Sequence, residues 1–464
     1  MEYTPQALLV DAGLIGMLLI IGTLARAKIK PLQTMMIPAS VIAGALGLLL
    51  GPNGLGFLPF SDQLGTYGSL LIVLVFACLA LTDDFNIFKI GRNVAGFAAY
   101  GVLMYSLQVV IGLVLVLVLL GPLLGAPDSI GLMLFAGWAG GFGSAAAIGA
   151  VFADAGQPEV QSIAFTAATV GMLVGVVGGI IQAKIGAMRG HAKEFAGMKS
   201  MPEDLRTGVL DQIKTRPSIG THTFSGGTIE SLAFQAAIVA GVSAGAYGIN
   251  LLRGELLPAV TFPLFSIAFI VGLVLRGLMA ASKTRKYIDP DSLRSISGAA
   301  TDVLVVCGMV SIVPSIVADN WLALLILFLV GLAFCLFLGF FAAPRLMQDG
   351  WFERQLFTWG WATGAVATGI ALLRIVDPRM KSRTLEDFSI AYLPVVPVEV
   401  AAITFVPLLV IGGAAWAAVG IWGAIAIVAA IGAAIVIFTG RKAPRSAGGE
   451  SSATAAVGGG SSSK

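Results

Sequence analysis

Long apolar runs and short polar interruptions alternate along almost the whole chain. Apolar segments lie at about 7–25, 36–51, 66–82, 94–121, 130–153 and 161–183. They resume at about 231–251, 258–275, 297–317, 321–343, 355–374, 388–412 and 414–439. Runs such as "YGVLMYSLQVVIGLVLVLVLLG" (100–121) exceed what a soluble core strand needs. A helix crosses the roughly 30 Å hydrocarbon core of a bilayer in about 20 residues. The pattern therefore predicts an all-α integral membrane protein. Composition agrees: 57% of residues are hydrophobic, 11% are charged, and the mean hydropathy is +0.93.

The charges then orient the spans, because Lys and Arg in short loops mark the cytoplasmic side. Arg26, Lys28 and Lys30 put the first loop inside and the N-terminus outside. Loop 52–65 has no Lys or Arg and goes outside, Lys89 and Arg92 mark the next loop as inside, and "GPLLGAPDS" (121–129) is outside. The central loop, 187–230, carries Arg189, Lys193, Lys199, Arg206, Lys214 and Arg216 and is inside. Only one crossing fits between 121–129 and that loop, yet two apolar segments occupy the interval. One of them must return to the face it came from, and the Gly-rich stretch "GWAGGFGSAAAIGAVFADAG" (137–156) is the better candidate. Irregular backbone at membrane depth is tolerated where protein encloses it.

The second half repeats the puzzle with the opposite sense. Arg345 and Arg354 lie inside before "FTWGWATGAVATGIALL" (357–373), and the basic "RIVDPRMKSR" (374–383) lies inside after it. Arg253, beside Glu255 in an outside loop, is the one discordant charge. Three pairs of segments also recur in order. "GWAGG" at 137 matches "GWATG" at 360, "SIAF" at 162 matches "SIAY" at 389, and "IPASVIAGALGLLLG" at 37 matches "FPLFSIAFIVGLVLR" at 262. Five crossings per half is an odd number, so the second copy is expected to be inverted. The expected organisation is a first repeat at 1–186, the cytoplasmic loop 187–230, a second repeat at 231–413, an additional helix at 414–440 and a disordered tail at 441–464. "RKAPR" (441–445) then puts the C-terminus in the cytoplasm.

Inverted repeats with interrupted apolar segments at corresponding positions mark a secondary transporter. A helix broken near the midplane offers free N–H groups to an anionic substrate and free C=O groups to a cation such as Na⁺. Gly140, Gly141, Gly143, Ser144, Thr363, Gly364 and Thr368 lie at or beside the breaks. Glycine also serves close helix packing, which is the reading for Gly171 and Gly175. Glu399 is an intramembrane carboxylate, a functional candidate by default. Thr166 and Thr169 share a helix face, where either ion coordination or bonding to their own helix suits them. Asp11 has no counterpart in the repeat and is set aside.

Other chemistry is sparse. Cys78, Cys307 and Cys335 lie in apolar runs and read as small hydrophobes. His191 and His222 both fall in the polar loop, which argues against a histidine metal site in the membrane. "MEYTPQ" has no basic region, so the first run reads as a retained span. A passive channel and a membrane-embedded enzyme are the competing classes. The enzyme lacks any His, Cys–His or paired-carboxylate motif to support it, and no organic cofactor or nucleic-acid partner is called for.

From the first span to about residue 410 the chain resembles the bacterial sodium:glutamate symporter family. The family's Gly-Gly-His-Gly-Thr segment corresponds to "GGFGS" (140–144), with Phe142 for the His and Ser144 for the Thr. Its Thr-x-Gly is retained at Thr169-Val170-Gly171, and "GWATGAVATGIA" keeps Gly360, Gly364 and Thr368 of a second Gly-rich stretch. "LPVVP" (393–397) stands where the family has a similar Val-Val-Pro. Phe405 and Leu408 replace a family Asp and Asn, with Glu399 and Thr404 nearby. The family's Asn-x-Asn turn reads Thr82-Asp83-Asp84. The resemblance implies a homodimer in a bacterial cytoplasmic (inner) membrane, each subunit two inverted five-helix repeats, importing glutamate or a related carboxylate or amino acid with Na⁺. Thr82, Asp83, Thr166, Thr169, Glu399 and Thr404 are then the candidate cation ligands. The departures leave the substrate, and coupling to Na⁺ or H⁺, open.

Overall fold

The structure, a computed structural model, describes residues 4–35, 37–82, 92–192, 203, 207–210, 216, 218–256, 262–347, 350–377 and 381–441. Among these every regular element is helical, and nine helices are long and apolar enough to cross a membrane. In chain order the elements that matter are α1 (Pro5–Lys28), α2 (Ala39–Leu50), α3 (Leu64–Thr82), α4 (Arg92–Leu115), α5 (Gly141–Asp154) and α6 (Glu159–Met188). There follow α7 (Ser231–Leu256), α8 (Leu264–Ala281), α9 (Pro290–Val310), α10 (Trp321–Phe341), α11 (Trp351–Thr363) and α12 (Val366–Val376). The last are α13 (Thr384–Ala391), α14 (Val395–Ile411) and α15 (Ala415–Arg441).

Helix starts follow local chemistry. Thr4 caps α1, its Oγ1 accepting the Ala7 N–H at 3.0 Å, with Pro5 in the first turn. Asp289 caps α9 with Pro290 behind it. Burial opposes ionisation of Asp289, but the Ser292 hydroxyl and the N–H groups of Thr221, Ser292 and Asp291 hold its carboxyl below the usual carboxylate range. This carboxylate also fastens the stretch before α7, through the Thr221 N–H at 2.7 Å, to the head of α9.

Four expected segments come out short. The run at 36–51 gives only α2, and 130–153 is divided before α5. The run at 355–374 is divided between α11 and α12. The run at 388–412 splits into α13 and α14, with Pro394 at the head of α14. Proline disfavours helical backbone at the residue before it, which accounts for that break.

The helices enclose one large core. α3 packs against α8 and α9, α6 against α5 and α11, and α15 runs along α4. Trp138, Trp359, Tyr105 and Phe165 are fully buried at its middle. Asp11 also has a plain structural role. Buried in α1, it accepts the Ser61 N–H at 3.0 Å, the Ser61 hydroxyl at 2.5 Å and the Tyr67 hydroxyl at 3.0 Å. It thereby ties the stretch between α2 and α3 to α1.

Candidate functional site

Both Gly-rich segments are interrupted, and the interruptions touch. In the first, a tight 3₁₀ turn (Asp128–Leu132) and a wide π turn (Phe135–Ala139) lead to Gly140, and α5 starts at Gly141 with φ +62°. That is the left-handed region, where a side chain is strained. In the second, α11 stops at Thr363, Gly364 and Ala365 are non-helical, and α12 starts at Val366. α11 and α12 lie side by side, so closely that a Cβ on Gly360 would sit 2.7 Å from the Gly369 Cα. A Cβ on Gly141 would lie 2.5 Å from the Gly364 carbonyl oxygen. Glycine is required there by backbone geometry and by space together.

Buried irregular backbone must find hydrogen-bond partners. Side chains from α4 supply them. The Ala139 N–H donates to Gln108 Oε1 at 3.2 Å, and Gln108 Nε2 donates to the Ala362 carbonyl at 3.0 Å. One fully buried amide thus bridges both interrupted segments. The Tyr105 hydroxyl donates to the Ala139 carbonyl at 2.6 Å. On the α6 side, Trp359 Nε1 donates to the Gly175 carbonyl at 3.0 Å. Gly171 and Gly175 face Thr363, where a Cβ would lie 2.6 and 2.7 Å from its oxygens. These two glycines admit α11 to α6.

The helix ends at this contact are those of α5 and α12 (starts) and of the π turn and α11 (ends). Partial positive charge gathers at helix starts and partial negative charge at helix ends. Ser144 is buried one turn into α5. Thr363 is buried and donates to the Trp359 carbonyl at 2.6 Å. Thr368 is buried with its hydroxyl on the side of Gly364, 3.6 Å from where a Cβ there would stand. Gly143 faces away, toward Ile72 of α3.

A sodium/glutamate symporter family model matches residues 8–377. The chain belongs to this family. It is a family of transporters rather than enzymes, with Na⁺ as the coupling ion and substrate and Na⁺ as partners, and the helices make this member a multi-pass membrane protein. No curated protein and no solved structure matches the chain. The matched range takes in both interruptions and ends before α13, so Glu399 and Thr404 rest on geometry alone.

The remaining candidates of this symporter divide by position. Thr166 and Thr169 donate to the Ser162 and Phe165 carbonyls, both at 2.8 Å, so their described hydrogen bonds stay within α6. Phe142, in the place of the family's His, stacks on Phe165 with centroids 6.5 Å apart. Thr82 donates to the Cys78 carbonyl at 3.0 Å. It stands ten residues beyond Ile72 in α3, about 15 Å along the helix. Asp83 lies outside the described residues. Thr404 pairs with the Ser266 hydroxyl at 2.7 Å, toward α8. Phe405 is exposed against Phe262.

Glu399 reaches the centre indirectly. Its Oε2 accepts the Tyr392 hydroxyl at 2.7 Å. Tyr392 packs on Trp361, and Trp361 on Tyr105, with centroids 5.3 and 5.1 Å apart. Sequence reasoning missed Gln108, Tyr105, Trp361 and Tyr392. The available signal was the lone amide in "YSLQVV" within an otherwise apolar span, since a buried polar side chain in a membrane helix needs a partner.

Proposed function

We propose that the chain is a secondary active transporter that carries glutamate or a related small carboxylate across a bacterial cytoplasmic membrane with Na⁺. The observation that carries this is the meeting of Gly141 with the Gly364 carbonyl, which puts two helix starts and two helix ends at one place. Amide groups at Gly141, Phe142 and Gly143, and at Val366 and Ala367, receive the substrate carboxylate. Carbonyls that end α11, with the hydroxyls of Ser144, Thr363 and Thr368, flank the ions. Among the described residues no three His, Cys, Asp or Glu side chains cluster. Backbone carbonyls and hydroxyls are therefore the natural Na⁺ ligands, with Thr166, Thr169, Glu399, Thr404 and Thr82 as further candidates and Asp83 proposed from the sequence alone.

Both segments are read as re-entrant, in an inverted pair. Contacts along the first support this. Gly131 packs on Leu113, Ala139 on Tyr105 and Gln108, then Phe142 meets Phe165 and Gly149 meets Gln161. The chain thus descends along α4 and comes back along α6 to the head of that helix. The N-terminus is read as outside, the C-terminus as cytoplasmic, and the working unit as a homodimer.

Reconstituted vesicles test the reading with a panel of labelled amino acids and dicarboxylates. Accumulation above the outside concentration is expected only with an inward Na⁺ gradient. Equilibration without accumulation would make the protein a channel, and accumulation driven by a proton gradient without Na⁺ would overturn the coupling.

A further inference from the structure

A cavity of about 270 Å³ opens where the ends of α5, α7 and α14 approach the start of α8. Asp154, Asn250, Arg253, Phe262, Leu264 and Leu408 line it. Its volume suits one small molecule, just below the range of about 300–1,000 Å³ for drug-sized ligands. Arg253 is also the one basic residue that defied the charge rule on the outer face. A cation kept where membrane proteins tend to avoid it calls for a local reason.

We propose that this cavity is an outer admission site for the α-amino-acid end of the substrate, distinct from the Gly141–Gly364 contact and resting on the transport reading above. Arg253 receives the α-carboxylate and Asp154 the α-ammonium group. Arg253 Nε donates to Asn250 Oδ1 at 3.0 Å, which fixes the plane of the guanidinium. A guanidinium has five donors in a rigid fork, and that fork matches a carboxylate bidentately. Asp154 comes from a different helix, so the cavity is lined by an anion as well as a cation, the pair that a zwitterion requires. Phe262, Leu264 and Leu408 supply apolar wall for the carbon chain. Asp154 ends the helix that begins at Gly141. Fourteen helical residues span about 21 Å, so an occupant of the cavity does not touch the Gly141–Gly364 contact and approaches it along α5.

The test compares labelled glutamate uptake from the outer face with transport from the inner face in oriented vesicles. Losing a bond between charged groups predicts that Arg253→Gln raises the outer KM by about tenfold. Inward maximal velocity and inner KM should hold, the outward maximal velocity should fall in proportion because the substitution cannot alter the transport equilibrium, and Arg253→Lys should recover part of the loss. Asp154→Asn should reduce the preference for glutamate over glutarate, which lacks the amine, in outer-face competition. That variant sits on another helix and carries the test alone if Arg253→Gln fails to insert. Unchanged outer KM and unchanged preference overturn the site. So does a fall in inward velocity at constant outer KM, or an equal rise in KM on both faces. Failure of the unaltered protein to move any amino acid with Na⁺ would instead overturn the transport reading.

Discussion

Gly141→Ala is the sharpest perturbation of the central contact. At φ +62° an alanine costs about 1–2 kcal/mol over glycine. Its Cβ would also stand 2.5 Å from the Gly364 carbonyl oxygen, where ordinary contact begins at 3.4 Å. The backbone at that carbonyl has no flexible side chain to move aside, so the two interruptions must separate by several tenths of an ångström. A preorganised site displaced by about 1 Å loses up to about a hundredfold in rate. We expect Gly141→Ala to lower Na⁺-driven uptake in vesicles ten- to a hundredfold by this reasoning. Gly143→Ala is the matched control. It lies in the same helix, its Cβ would meet only Ile72 Cδ1 at 3.4 Å, and Ala in a helix gains about 1 kcal/mol over Gly. It should insert as the parent does and, because alanine keeps the amide assigned to the substrate carboxylate, lose far less uptake than Gly141→Ala. The reasoning fails if Gly141→Ala transports normally, or if Gly143→Ala is damaged equally.

Gln108→Leu leaves the Ala139 N–H and Ala362 carbonyl without their shared amide. Buried groups so stranded cost about 1–3 kcal/mol each in water-soluble proteins and less in membranes. A lower thermal midpoint in detergent and a raised substrate KM are expected, and an unchanged KM would leave the bridge a purely structural tie. Glu399→Gln keeps a partner for Tyr392 but removes the charge, so the Na⁺ dependence of uptake should weaken, and an unchanged Na⁺ response would remove Glu399 from the ion path. Asp289, held below the usual carboxylate pKa, stabilises the anchorage of Thr221 at neutral pH. That contribution should fade as pH falls below about 4 and through its lowered pKa. Hydrogen exchange around Thr221 should show this loss in the parent, and Asp289→Asn should show none. Single cysteines at 155–157 should react with an impermeant external reagent and cysteines at 381–384 should not, and labelling of both from one side would refute the opposed arrangement.

The long spans were legible because a bilayer demands about 20 apolar residues and little else in the chain has that length. The interrupted segments were legible for a different reason: loop charges allowed one crossing where two apolar segments stood, and the glycines pointed to which one breaks. The contact between them was not. Gln108 and Ala362 are 254 residues apart, and a single amide in an apolar run carries no periodicity to announce its partner. The spacing of Thr166 and Thr169 was visible, yet spacing cannot tell a hydroxyl that bonds to its own helix from one that binds an ion. The structure gives those hydroxyls to the Ser162 and Phe165 carbonyls. Phe142 departs from the family's His at the centre, and its packing on Phe165 shows that the ring joins the wall of the core.

The junction of Gly141 with Gly364 is made from backbone alone. The side chains that bridge and steady the two interruptions, Gln108 and Tyr105, come from a third helix. Ser144 and Thr368, which flank the junction, are not among those struts. They can be exchanged one at a time, through descent or by design, without removing the bridge that Gln108 makes. On the proposed reading of the site, a new cargo preference is then a matter of a few substitutions around a fixed glycine seam.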